Sequence, residues 1–400
     1  MNRLACSALT WVVAIACVGW PQVLRSHGPV TTTVLFDREI VRILNSHCVA
    51  CHSEGSLAFP LSTYEQTWVR GRAMRMAVLQ HHMPPWPAVA GYGQFLNDNS
   101  LTVRETQFVV SWVEGLGPRN TGSVFLNVAS PGVAPQEVRA TAHVGHWLLG
   151  EPDASLPLTA VPIDAGRTDF VQRFVIDLAA APERLLRALE YMPGDRRVVR
   201  AATFSLESTG QWLGSWTPWY GFTKQPEGAA TRLPARSRIV AEIHYRGANE
   251  SVTDRGSLGL FFDGSQKTPL PTTSSPRLSS DLVLDATLVP PLVPPLVPAL
   301  VPATRVLRTT ARIAADTHIW ALRPDVVAGL ASIEISARAP NGGTEILLFA
   351  RDPSVEWPTP YILKTPRLLR RGTELRVVAH ARGITGAPRA DSMRVIISRY

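Results

Sequence analysis

Residues 288–303 read "LVPPLVPPLVPALVPA", a four-residue unit with proline at its third place. Proline fixes φ and carries no backbone N–H, so this density excludes a helix or a central strand. It favours an extended polyproline II spacer. The repeat therefore divides a chain of 400 residues that is already too long for one ordinary core. Short β-rich runs lie on both sides of it. "RFVIDL", "RRVVRAATF", "SRIVAEIHY" and "GSLGLFF" come before; "SIEISARAP", "EILLFAR" and "ELRVVAHA" come after. Such runs, alternating with Gly and Pro punctuation, are a sandwich pattern.

The stretch from about Val30 to Pro118 has a different texture and predicts helices. Asp37 is placed to N-cap the first, with Phe36 stapling onto Val41. Ser62 and Glu65 form a capping box ahead of a helix running to about Gln80. Thr102 and Glu105 form another, and Gly115 to Pro118 closes that last helix. The expected order is helical domain, β-lobe, Pro-rich link, β-lobe.

Before all of these comes "MNRLACSALTWVVAIACVGW", one early positive charge followed by an apolar run. Ala14-Ile15-Ala16 is a small-x-small cleavage pattern, so residues 1–25 are expected to be an export signal. Left uncleaved, the run is a marginal membrane anchor; Cys17, directly after the triplet, also admits a lipid anchor. Export predicts a periplasmic protein, or one attached to the membrane on that side. The formal net charge is +8, yet Lys224, Lys267 and Lys364 are the only lysines, and the arginines are spread along the chain. They form no nucleic-acid stripe, so nucleic acid is not an expected partner.

Cys6 and Cys17 fall in the signal, leaving Cys48 and Cys51 in "CVACH". No disulfide framework exists for an exported protein of this size. A redox dithiol wants a βαβ context and has no need of His52. A zinc site wants a second ligand pair at finger spacing, and there is none. Covalent attachment of c-type haem needs this arrangement: two thiols for the two vinyl groups and an adjacent histidine under the iron. A second axial ligand should then follow on a rigid loop. "QHHMPPWPA" supplies Met83, stiffened by Pro84 and Pro85, and thioether ligation suits electron transfer. His81 and His82 are the rival ligands. One of Arg70, Arg72 and Arg75 could pair with a haem propionate.

Taken together, "FDREIVRILNSHCVACHSEG", "MPPWPA" and "FLNDNSLTVRETQFVVSWVEGLGP" resemble the cytochrome c module that precedes bacterial copper type II ascorbate-dependent monooxygenase-like domains. Downstream, "GHWLLGEPD", "LEYMPGDRRVV", "LPARSRIVAEIHYRG", "THIWAL" and "RRGTELRVVAHA" are similar in order and spacing to the tandem β-sandwich pair of peptidylglycine and dopamine monooxygenases. The resemblance implies a multidomain α-then-β fold. A small all-α cytochrome c domain (30–118) is followed by two antiparallel, jelly-roll-like β-sandwich lobes (124–275 and 305–400), with the Pro-rich linker at 276–304.

The resemblance also implies two coppers, one per lobe, each held by three side chains, mostly histidines. In the first lobe the family's His-His pair falls on Val199-Arg200-Ala201; the third ligand position is His244. In the second lobe the family's His-x-His falls on His318-Ile319-Trp320, and the methionine ligand position falls near Met393. One imidazole does not hold copper firmly, so the losses argue against the hydroxylase reaction. His143 and His146 are spare histidines that could rebuild a site. The expected function is therefore an exported monohaem c-type cytochrome for electron transfer, fused to a β-pair that has lost its copper sites. Its partner would be a redox protein or a small electron donor. The alternative is a copper- and ascorbate-dependent monooxygenase with a built-in haem donor. No catalytic residue is assigned.

Overall fold

A computed structural model describes residues 32–120, 146–178, 181–264, 276–289, 305–382 and 391–400. The export signal, His143, the start of the first expected lobe and most of the proline repeat lie outside the described residues. Strands account for 44% of the structure and helices for 13%.

Four helical segments precede the strands. The first, α1 (residues 36–48), is an α-turn, Val41–Ile43, between two π-helical turns, Phe36–Ile40 and Leu44–Cys48. Its cap is Leu35 rather than Asp37, and Asp37 and Glu39 sit in the first turn, where the helix dipole favours them. The Glu39 carboxylate accepts from the Leu35 N–H at 2.9 Å, so an acid reaching back from inside the helix takes the cap's place. The next two, α2 (Tyr64–Val69) and α3 (Gly71–Leu79), meet end to end at Arg70. The capping box of α2 is Thr63 with Gln66, one residue beyond the expected Ser62 and Glu65. The last, α4 (Val103–Glu114), carries the expected Thr102–Glu105 box. Its Trp112 is fully buried, with Phe36, Tyr64 and Trp68 edge-on or tilted around it at 5.8–6.3 Å.

The first β-lobe is a sandwich. A four-stranded sheet orders the strands Phe170–Asp177, Arg238–Tyr245, Val199–Leu206 and Trp212–Trp216. It faces a six-stranded sheet centred on Arg184–Met192. Phe204, Ile243 and Tyr245 from one layer share a core with Leu186, Leu189 and Leu260 from the other. The second lobe is a single eight-stranded antiparallel sheet. It curls on itself: Leu348 from one edge strand and Leu363 and Leu369 from the other edge lie in one core.

The expectation of a small all-α domain followed by two jelly-roll-like sandwiches is therefore corrected. The chain is mostly β, and among the described residues no separate all-α domain stands ahead of the lobes. The reason lies in residues 84–99. This proline-rich, aromatic stretch cannot continue a helix, and its apolar side chains need a partner. They take the second lobe: Trp86, Ala88 and Phe95 are members of that lobe's core. Ala88 and Phe95 make bridges to Ala350 and Leu363. Asn97 is buried and exchanges hydrogen bonds with Pro360 and Ile362. The second lobe also begins earlier than expected. Ser280–Leu288, assigned to the linker, is a strand paired along its length with Ser392–Arg399. Leu282, Leu284 and Ala286 alternate inward there, which the neighbouring prolines obscure in the sequence.

The two lobes meet on an aromatic pair. Trp212 stacks on Trp320 with ring centres 5.3 Å apart, and both are fully buried. The Trp212 N–H also donates to Asp281 at 2.7 Å. Among the described residues, no helix is long and apolar enough to cross a membrane.

Candidate functional site

The helix α1 ends on Cys48, and the chain turns tightly there. The N–H groups of Cys51 and His52 both donate to the Cys48 carbonyl, at 3.1 and 2.9 Å. Ala58 then donates to the Cys51 carbonyl and Leu61 to that of His52. These bonds hold two thiols and an imidazole on one short arc. Thirty residues later, α3 ends and the N–H groups of His82 and Met83 return to the Ala77 carbonyl. Beyond Met83 the chain is anchored by Trp86, which packs edge-on against Tyr361 of the second lobe at 5.4 Å.

Cys48, Cys51, His52 and Met83 all line one cavity of about 1050 Å³. That is at or above the top of the range of roughly 300–1,000 Å³ usual for small-ligand sites. Its walls are largely apolar, with Ile40, Leu44, Met74, Val78, Leu101 and Val109 among them. His81, His82 and Met83 are all exposed, but only Met83 is part of its lining.

The chemistry of the donor set fits a haem. The two thiols are free of each other. Burial, with the neighbouring Cys51 and Glu105 adding to it, pushes the Cys48 thiol up to about 12; burial pushes that of Cys51 up to about 12 against Arg196 and Arg200. A redox dithiol lowers a thiol pKa to expose thiolate, so this environment does not suit that chemistry. Burial also lowers the His52 pKa, favouring neutral imidazole. Its Nδ1 lies 2.9 Å from the Phe59 carbonyl, which fixes that nitrogen as the N–H and leaves Nε2 as the electron-pair donor. His47, next in sequence to Cys48, is held differently, by the Asn99 carbonyl at 3.3 Å and Glu105 at 3.4 Å.

The far wall comes from both β-lobes. Arg197, Arg200 and Arg246 of the first lobe line the cavity, as do Glu356 and Trp357 of the second. The Arg200 side chain is 8% exposed; its Nε lies 3.1 Å from Asp169 and its Nη1 2.6 Å from Glu356. Its guanidinium also lies over the Trp357 ring at 5.2 Å. Arg197 pairs with Asp195 at 2.6 Å and with Glu250. Arg70, one of the three arginines expected near a haem, lines the cavity and lies over the Phe59 ring at 3.9 Å. Arg75 instead pairs with Glu114 at the other side of α3, and Arg72 does not reach the cavity. The cations Arg197, Arg200 and Arg246 were missed in the sequence because they lie more than a hundred residues from the haem motif.

Arg200 ties the first lobe to the second. Replacing it with glutamine is expected to destabilise the chain by about 1–2 kcal/mol. Both carboxylates it leaves are over a third exposed, at 36% and 46%, so solvent screens much of the loss. A urea midpoint shift measures this, and Glu356→Gln should shift it less.

The residual copper positions are not brought together. His318 and Met393 lie in neighbouring strands of one sheet, but toward opposite ends. Ile319 is in register with Arg399, six residues from Met393. At ~3.3 Å per residue the separation is about 20 Å, too far for one ion. The His318 ring stacks on Tyr400 at 5.3 Å, and its Nδ1 is 3.4 Å from Arg277. Met393 is buried in the core of the second lobe, opposite Ala286. His244 sits in the first lobe's four-stranded sheet, where burial lowers its pKa against the pull of Asp169. Arg200 and Trp320 are engaged in the two inter-lobe contacts, with Glu356 and with Trp212. Among the described residues, no three His, Cys, Asp or Glu side chains gather as a metal-binding group. A haem iron needs none, since the macrocycle supplies four of its ligands.

No known family profile matches the chain, and no curated protein matches it. Among solved structures, the chain is similar to the PBSX exported protein XepA at 10% identity, over 62% of this chain and 86% of that one, with a TM-score of 0.17. It is similar to PBCV-1 VP54, fitted into the virophage Sputnik, at 7% identity, over 61% and 92%, with a TM-score of 0.21. The tandem CBM22-1-CBM22-2 domain of Xyn10C from Paenibacillus barcinonensis gives 8% identity, 63% and 97%, and a TM-score of 0.15. At these TM-scores the likenesses carry no argument.

Proposed function

We propose that this chain is an exported electron-transfer protein carrying one covalently attached haem. Cys48 and Cys51 would form the two thioether links, and His52 and Met83 would be the axial ligands of the iron. One observation carries the reading: these four side chains, drawn from two separate stretches of chain, line a single large apolar cavity. When bound, the haem would supply a one-electron couple. The chain's own residues then do three things. Phe59 holds the imidazole in the tautomer that presents Nε2. The apolar wall would exclude water, and a Met83 thioether ligand together with the His52 imidazole would favour the reduced state. Arg70 and Arg246 would supply positive charge for the propionates, since Arg197 and Arg200 are held by carboxylates.

On this reading the β-lobes close the haem cavity rather than work through two coppers. A soluble redox protein or a small donor would exchange electrons with the haem edge. Periplasmic placement, free or held at the membrane by the N-terminal segment, is part of the same proposal. The test is spectroscopic. Met83→Ala, expressed with haem-maturation machinery, should keep the haem but lose the weak far-red sulfur-to-iron band and drop in potential. His81→Ala and His82→Ala should leave both unchanged. Absence of that band from the unaltered protein, with a potential that moves on His81→Ala or His82→Ala and not on Met83→Ala, would make the haem bis-histidine and overturn the Met83 assignment.

A further inference from the structure

A second cavity, of about 620 Å³, backs onto the first. The Cys48–Cys51 turn is the partition: Ala50 and Gly55 line the second cavity, while Cys48, Cys51 and His52 line the first. The opposite wall is aromatic. Trp216, Trp219, Tyr220 and Phe222 project from one hairpin of the first lobe, with the Tyr220 and Phe222 rings 5.1 Å apart. Flat apolar walls of this kind take a planar ring.

One cation in this cavity lacks a carboxylate. Asp195 is engaged by Arg197, and buried Glu190 accepts from the Leu148 and Leu149 N–H groups at 2.6 and 3.0 Å. Arg255 is exposed. Arg196 is half-buried; among the described residues no carboxylate pairs with it, and it donates to the Pro218 carbonyl at 3.4 Å and acts on the Cys51 thiol. Burial pulls the Arg196 pKa down, yet guanidinium stays charged. A half-buried cation without a counter-ion beside aromatic walls is matched by an anion that brings a ring with it. Guanidinium's planar fork suits carboxylate in particular.

We propose that this second cavity binds a small aromatic carboxylate, its ring between the aromatic side chains and its carboxylate on Arg196 and Arg255. The site stands on side chains that the haem reading does not use, so either can fail without the other. It would seat its ligand against the turn that bears the two cysteines.

The experiment is calorimetric titration of the full chain with benzoate, benzamide and acetate. Benzoate should bind at one per chain. Benzamide, which lacks the charge, and acetate, which lacks the ring, should each bind at least tenfold more weakly. Arg196→Gln and Arg255→Gln should each weaken benzoate at least tenfold with the circular dichroism unchanged. Absence of saturable benzoate binding, equal affinity for benzamide, or variants that fold and bind as before would each overturn the proposal. Should a variant not fold, the ligand series on the unaltered chain decides alone.

Discussion

Replacing both Cys48 and Cys51 with alanine is expected to abolish all haem that survives acid–acetone extraction. On the proposed reading each thiol would contribute one thioether, so a single replacement should leave a haem attached through one bond and with an altered pyridine haemochrome spectrum. The double replacement should leave none. The contacts that would remain, apolar packing, ligation by His52 and Met83 and ion pairing, would not hold a macrocycle through denaturation. The double variant should still fold its β-lobes, whose cores contain neither cysteine. It separates the haem reading from a dithiol reading as well. The unaltered chain, with both thiols held protonated by burial, should react slowly with alkylating reagents when it lacks haem.

The second large effect is expected at Trp320. It is 1% exposed and stacked on Trp212, in a small core shared with Ala321, Ile362, Tyr220 and Tyr400. Truncating a buried tryptophan to alanine costs about 3–5 kcal/mol. Here the void would open between two lobes rather than inside one. Arg323, whose guanidinium lies over the Trp212 ring at 5.6 Å, would also lose part of its cover. The expected outcome of Trp320→Ala is a lower urea midpoint and earlier separation of the lobes, read as a first unfolding step. Trp212→Ala should do the same. The double variant should cost less than the two singles added, since both remove one contact. Strict additivity would place the stabilisation inside each lobe instead.

Parts of this architecture were legible in the sequence. The Thr102–Glu105 box was readable because both halves lie within one turn, and it caps α4 as expected. The thiols and His52 stand out in the sequence as a compact C-x-x-C-H motif, and the structure brings them and Met83 to one cavity. Other parts were not legible, for a common reason. Residues 84–99 look like the tail of a helical domain until Trp86 and Phe95 find their partners in Tyr361 and Leu363, more than 250 residues on. Capping and periodicity report on neighbours in the chain; they do not report which distant sheet covers an aromatic residue. The strand Ser280–Leu288 was hidden by the prolines that follow it. Arg200 was readable only as a histidine position lost. In the structure it is a cation that two carboxylates and a tryptophan hold against the cavity.

The most direct measurement of the central claim is the metal content of the denatured chain. The protein is matured with haem-attachment machinery, incubated with copper, dialysed, unfolded in guanidinium and passed over a desalting column. Copper is counted per polypeptide on the folded, dialysed sample, and iron on the unfolded chain that leaves the column. The account predicts one iron that travels with the unfolded chain, carried by a thioether-linked haem, and in the folded sample copper well below one per chain. No iron on the unfolded chain, or tight stoichiometric copper in the folded protein that is lost on His318→Ala, would contradict it.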